Sequence, residues 1–135
     1  MRSISSQSRI MAKQEGQLNQ DREDRISLEA IVDAYGPEEQ AMGWYYYLDD
    51  KLTVPFQGTC IQERKVSPLK VGEVVEVISM ASADECEREM FVTIRWMERE
   101  LAVPLAQIEG LNVDSQTQEA IEDWHYWVGR GYELG

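Results

Sequence analysis

Asp49 and Asp50 are adjacent carboxylates in the segment Trp44-Tyr45-Tyr46-Tyr47-Leu48-Asp49-Asp50. Carboxylate oxygens are hard donors, and a crowded pair of them repels itself until a divalent cation turns the repulsion into attraction. A second concentration follows at Asp84, Glu85, Glu87 and Glu89, interrupted only by Cys86 and Arg88. Asp114 stands alone ahead of an apolar-periodic stretch. The loop with alternating Asp or Asn, a central Gly and a terminal Glu, which marks an EF-hand, does not occur. Oxygen ligands for a calcium ion must therefore come from separate parts of the chain.

Other chemistries find less support in the residues. Zinc and copper need clustered His and Cys, but His125 is the single histidine, and Cys60 and Cys86 lack paired spacing. His125 is expected at a helix surface or core edge. No strained nucleophile turn and no glycine-rich phosphate loop is present, and nothing singles out an acid/base pair among the carboxylates. The chain reads as a binding protein rather than an enzyme. The run Trp44 to Tyr47 has the aromatic content of a ligand platform, yet Trp44 and Tyr45 belong to a helical stripe and are expected in the core.

The elements that position the carboxylates follow from pattern. Pro37 opens a helix, with Glu38 and Glu39 facing its positive end. Ala41, Trp44, Tyr45, Leu48 and Leu52 form one buried face. Asp49 and Asp50 then fall at the C-terminal end, where free carbonyls already carry partial negative charge and a carboxylate costs about 0.3–1 kcal/mol. The competing reading is that Lys51 and solvent offset this cost, or that the helix ends sooner. A last helix begins near Ser115, expected as its cap with Gln118, and Asp114 adds negative charge at that end. Ala120, Ile121, Trp124, Trp127 and Val128 give it an apolar stripe.

Between the helices, β-branched and alternating residues predict strands at Val54–Gln62, Glu73–Met80, Met90–Met97 and Leu101–Leu105, with a tight turn at Glu98-Arg99. The expected fold is α+β: a small bent antiparallel sheet or SH3-like barrel flanked by two helices. Residues 1–22, rich in Ser, Gln, Lys and Arg without sustained period, read as a disordered leader; residues 23–135 read as one domain.

The formal net charge is -12, from 13 basic and 25 acidic groups. The first 24 residues hold four of each, so the whole excess lies in the remainder. Such a field repels a phosphate backbone and argues against nucleic acid as a partner. No apolar run is long enough to span a bilayer, and no secretory signal precedes the domain, so a cytoplasmic location with reduced cysteines is expected. Cations and basic surfaces remain. An acidic SH3-like module docking on a basic protein is the alternative to an ion-binding protein.

Several unusual strings carry a family resemblance: IVDAYGPEEQAMGWYYYLDD (Ile31–Asp50), SPLKVGEVVEVISMA (Ser67–Ala81), DECEREMFVTIRW (Asp84–Trp96), LAVPLAQIEG (Leu101–Gly110) and DWHYWVGRGYEL (Asp123–Leu134). Over about Arg25 to Leu134 the chain resembles the CcbP-type calcium-binding proteins of cyanobacteria. The resemblance implies a cytoplasmic protein that binds calcium without EF-hands and lowers free calcium, in a setting of cell differentiation under nitrogen starvation. The family's Tyr-Leu-acidic-acidic segment corresponds to Asp49 and Asp50. Asp114 is the candidate to close that site from across the fold, and Asp84, Glu85 and Glu87 are candidates for a second.

Overall fold

The computed structural model describes residues 18–134, so most of the expected leader lies outside the described residues. The boundary expected after residue 22 falls inside an element. Asn19 caps helix α1 (Gln20–Arg25) by accepting from the Arg22 N–H at 3.0 Å, and the chain continues through a π-helical turn at Ile26–Ala30. Helix α1 buries none of its own residues, which is why no apolar period announces it.

Helix α2 spans Pro37–Lys51. Pro37 occupies the first turn, and the Glu39 carboxylate reaches back to accept from the Tyr35 and Gly36 N–H groups at 2.8 and 3.2 Å. The expected stripe is buried at Ala41, Trp44, Leu48 and Leu52, but Tyr47 rather than Tyr45 completes it. The buried face is rotated toward a second helix, where the Tyr47 hydroxyl finds its acceptor. Gly43 lies so close to the π-helical turn that a Cβ there would collide with the Ala30 carbonyl, a contact that only glycine permits.

Five strands follow: β1 (Phe56–Cys60), β2 (Val74–Met80), β3 (Phe91–Trp96), β4 (Arg99–Pro104) and β5 (Ile108–Leu111). All pairings are antiparallel, in the order β4-β3-β2-β1-β5. The hairpin turn is Met97-Glu98, one residue before the expected position. Both residues have positive φ (48° and 67°), as a two-residue type I′ turn requires, and Arg99 pairs with Trp96. Strand β5 escaped prediction because four residues containing Gly110 show no alternation to read.

The sheet is open: among the described residues no ladder joins β4 to β5, so the closed-barrel form of the expectation is not met. It is nevertheless strongly bent. Edge strands of a flat five-stranded sheet would lie about 19 Å apart, at roughly 4.8 Å per step. Here the 3-10 turn Leu105–Gln107 alone carries the chain from β4 to β5, and four residue steps reach at most about 14 Å. The two edges must curl toward one another, and the slip in register between Val77 and Ser79 adds a bulge to that bend.

Helix α3 (Ser115–Gly129) packs against α2, β5 and the 3-10 turn. Its cap is Asp114 rather than Ser115. Trp44 of α2 meets Trp124 and Trp127 of α3 at ring separations of 5.1 and 5.6 Å, forming the aromatic centre of the core. Beside it lies Asp123, with no solvent exposure. Its carboxylate accepts two hydrogen bonds from Arg25 at 3.0 and 2.7 Å and one from the Tyr47 hydroxyl at 2.7 Å, and it forms an ion pair with Arg22 at 3.1 Å. The hydrogen bond to Asp123 raises the Arg25 pKa above its ordinary value, and burial followed by the same carboxylate pushes the Tyr47 phenol well up.

Removing one partner from a buried charged cluster leaves the others desolvated without compensation. Asp123→Ala is therefore expected to lose about 3–5 kcal/mol of stability in urea unfolding. Asp123→Asn, which still offers Tyr47 an acceptor, should lose less. A loss under about 1 kcal/mol for the alanine variant would show that this carboxylate does not tie the helices together.

Candidate metal centre

Helix α2 runs to Lys51, so Asp49 and Asp50 sit in its last turn, and both are exposed. The helical ladder ends with Leu52 N–H donating to the Leu48 carbonyl at 2.9 Å. Thr53 N–H, the donor that would extend the ladder to Asp49, instead donates to Thr117 Oγ1 at 2.9 Å. The Asp49 carbonyl is left without its helical donor beside two carboxylates. Lys51 does not neutralise them: its ammonium points to Glu29 at 3.9 Å and lies over the Tyr47 ring. Neither Asp49 nor Asp50 forms an ion pair among the described residues.

The Thr53–Thr117 bond ties the end of α2 to the start of α3, where Asp114 accepts from the Thr117 N–H at 2.7 Å. That backbone donor, followed by the hydroxyls of Thr53 and Thr117, holds the Asp114 carboxyl below its ordinary pKa. The carboxylate is thus ionised and pre-oriented at this corner. It borders a groove of about 390 Å³ whose oxygen-bearing lining includes Gln57, Glu76, Asn112 and the two threonines. Glu76 was not anticipated. Its place between Val75 and Val77 on β2 turns it away from the core, a period-2 signal that marks exposure but not proximity to Asp114. In this structure Glu76 pairs with Arg95 at 3.0 Å.

The second candidate cluster is divided among different tasks. Glu85 accepts from Ser82 N–H and Oγ at 3.4 and 3.3 Å, closing the 3-10 turn Ala83–Cys86. Glu89 makes a bidentate pair with Arg64 at 2.7 and 2.8 Å. Asp84 and Glu87 remain exposed without ion pairs and line a groove together with Glu38 of α2.

Among the described residues no three Asp, Glu, His or Cys side chains gather closely enough to hold a metal on their own. Asp114 lines the groove beside Thr53 and Thr117, whereas Asp49 and Asp50 line no part of it and Asp49 acts on Tyr45 of its own helix; Asp84, Glu85 and Glu87 do not converge either. The donors at both places are hard oxygens throughout, which fits calcium and excludes neither backbone carbonyls nor water from completing its six to eight ligands. His125 is elsewhere: its Nε2 lies 3.1 Å from the Leu105 carbonyl at the core edge, as expected.

The donor chemistry admits calcium, and comparison supplies both the class, a calcium-binding protein, and the family. The chain belongs to the CcbP calcium-binding family, whose profile, described as calcium binding, matches residues 24–128. It is similar to Anabaena CcbP in its crystal structure, at 44% identity and a TM-score of 0.77, covering 86% of this chain and 95% of that one. A calcium-binding protein in its calcium-binding form is similar at 44% identity and a TM-score of 0.76, covering 84% and 94%. No curated protein matches the chain. Calcium is the ion to which the donor chemistry and the family both point.

Burial holds the His125 pKa below 6.5, against the opposing pull of the Leu105 carbonyl. The unfolded chain, with histidine near pKa ~6.5, binds the proton more readily, so stability from this residue is full above that pH and falls as pH drops through and below it. The parent protein should lose stability between about pH 7.5 and 5.5 more steeply than His125→Gln, read from urea midpoints. Parallel slopes would remove His125 from the acid response.

Proposed function

We propose that the protein is a cytoplasmic, non-EF-hand calcium buffer or sensor whose primary ion is held where the end of α2 meets the start of α3. Asp49 and Asp50 supply carboxylates, the Asp49 carbonyl supplies a free backbone oxygen, and Asp114 approaches from the opposite helix. The observation that supports this reading is the unneutralised aspartate pair at a negative helix end, with Lys51 directed to Glu29 and Thr53 diverted to Thr117. An exposed pair of carboxylates in that position is unfavourable until a cation joins it. A second, more hydrated ion is assigned to Asp84 and Glu87, with Glu85 joining when it leaves its Ser82 cap.

In this mechanism the ion does electrostatic work on the fold. The field of a strongly acidic chain raises the local cation concentration, and capture reduces self-repulsion across the two helix ends. Ligand bound to the folded state alone stabilises it by about 2.7 kcal/mol at roughly a hundredfold excess over Kd. Magnesium, with its stricter octahedral demand and reluctant dehydration, should match neither the affinity nor the stabilisation.

Calorimetry of the Asp49→Asn/Asp50→Asn double variant beside the parent tests both ion and place. Calcium affinity at the tighter site should fall at least about tenfold, equivalent to ~1.4 kcal/mol. Asp114→Asn keeps the helix cap, since asparagine caps as well as aspartate, so a drop in calcium affinity there reports ligation rather than lost folding. Unchanged calcium heat in both variants, in proteins that melt normally, would place the ion elsewhere and favour a docking role for the acidic surface.

A further inference from the structure

Two hollows meet along the outer face of α2. One, of about 350 Å³, lies between that helix and the Ala83–Cys86 turn. Its apolar floor includes Ala41, Met42 and Tyr45, and Glu38, Asp84 and Glu87 stand among its walls. The other, of about 420 Å³, is shallower and is bounded by Val32 and Asp33. Glu38 and Met42 line both, so the two adjoin as a trough interrupted at Met42.

Met42 is 39% exposed and Val32 52%, so the hollows combine apolar lining with an acidic rim. Asp33, Glu38, Asp84 and Glu87 form no ion pair among the described residues, and Arg88 is the single cation in the lining. Glu39 is occupied with the α2 cap, whereas Glu38 has no such duty.

We propose that this trough docks a basic amphipathic helix of a partner protein. Two apolar side chains one turn apart on that helix would enter the two hollows, on either side of Met42, while its Lys and Arg residues face Glu38, Asp84, Glu87 and Asp33. An apolar stripe seated in a groove is a recurrent mode of helix recognition, and a flexible thioether at its centre adapts to more than one anchor. The rim sets the sign of the partner. A second copy of this chain, itself at net charge -12, would bring acid against acid, and a phosphate-bearing surface is repelled for the same reason.

The docking surface excludes Asp49 and Asp50, which line neither hollow, but it shares Asp84 and Glu87 with the second ion proposed above, so that ion and the helix compete. The test uses the full chain in EDTA and a fluorescently labelled synthetic helix with Leu on one face and Lys on the other. A scrambled peptide of the same composition serves as control. Saturable anisotropy is expected for the amphipathic helix, weakening at least about tenfold from low to high salt and at least about tenfold in Met42→Glu. Met42→Ala and Glu87→Gln, milder changes at exposed positions, should each weaken it severalfold in proteins with parental melting temperatures. The Asp49→Asn/Asp50→Asn variant should bind the peptide as the parent does, which separates failure of this proposal from failure of the calcium assignment. No binding at millimolar peptide, equal binding of the scrambled peptide, or indifference to all three trough variants would overturn it. Self-association in sedimentation that Met42→Glu abolishes would also overturn it, by assigning the trough to a second copy.

Discussion

Asp123 is a carboxylate withdrawn from water and surrounded by partners from two other helical elements. Taking a charge out of solvent is costly, and the interior tolerates it here because Arg25 and Tyr47 supply directed donors while Arg22 adds a second positive charge. That requirement fixes geometry as apolar packing cannot. Trp44, Trp124 and Trp127 would accept small slides of α2 past α3, but a forked guanidinium and a phenol that must both reach one carboxylate would not. Once the two helices are in register, Thr53 meets Thr117, and the acidic end of α2 faces the start of α3.

The same register explains why the carboxylates at the helix ends are left unneutralised. Cations near the core are drawn inward, to Asp123 and its neighbours Glu119 and Glu122, and Lys51 turns to Glu29. Elsewhere Arg64, Lys70 and Arg95 pair with Glu89, Glu63 and Glu76, while Asp49, Asp50, Asp84 and Glu87 are among the carboxylates without an ion pair in the described residues. Hard oxygens left free in this way agree with membership of a calcium-binding family.

Much of this was legible in the residues, and the failures have physical causes. Pro37 and the stripe through Leu48 located α2, and β-branched runs located four strands, because burial on one face imposes a period that survives in sequence. Helix α1 left no such trace, since its contacts are ionic and lie about a hundred positions away, at Glu122 and Asp123. Tyr47 was similarly hidden: its burial depends on a hydrogen bond to a residue on another helix. Asp49 and Asp50 could be singled out because they offend a local rule at a helix end. Their relation to Asp114 rests on Thr53 and Thr117, which carry no local signal of contact. Whether the sheet closed was undecidable from strand count, as it turns on which edge β5 joins.

The polar attachment of α1 makes part of its hold answer to the ionic medium. With no buried residue between Gln20 and Arg25, this helix adheres through charges of unequal shelter: Glu119 and Glu122 are half in water, while Asp123 is fully enclosed. Counterions screen the two exposed partners before the enclosed one, although Arg22 and Arg25 each reach both kinds. The first turn is pinned besides by the Tyr126 hydroxyl, which accepts from the Asn19 N–H and donates to Glu23. The N-terminal helix is thus a strap whose grip weakens with salt without letting go.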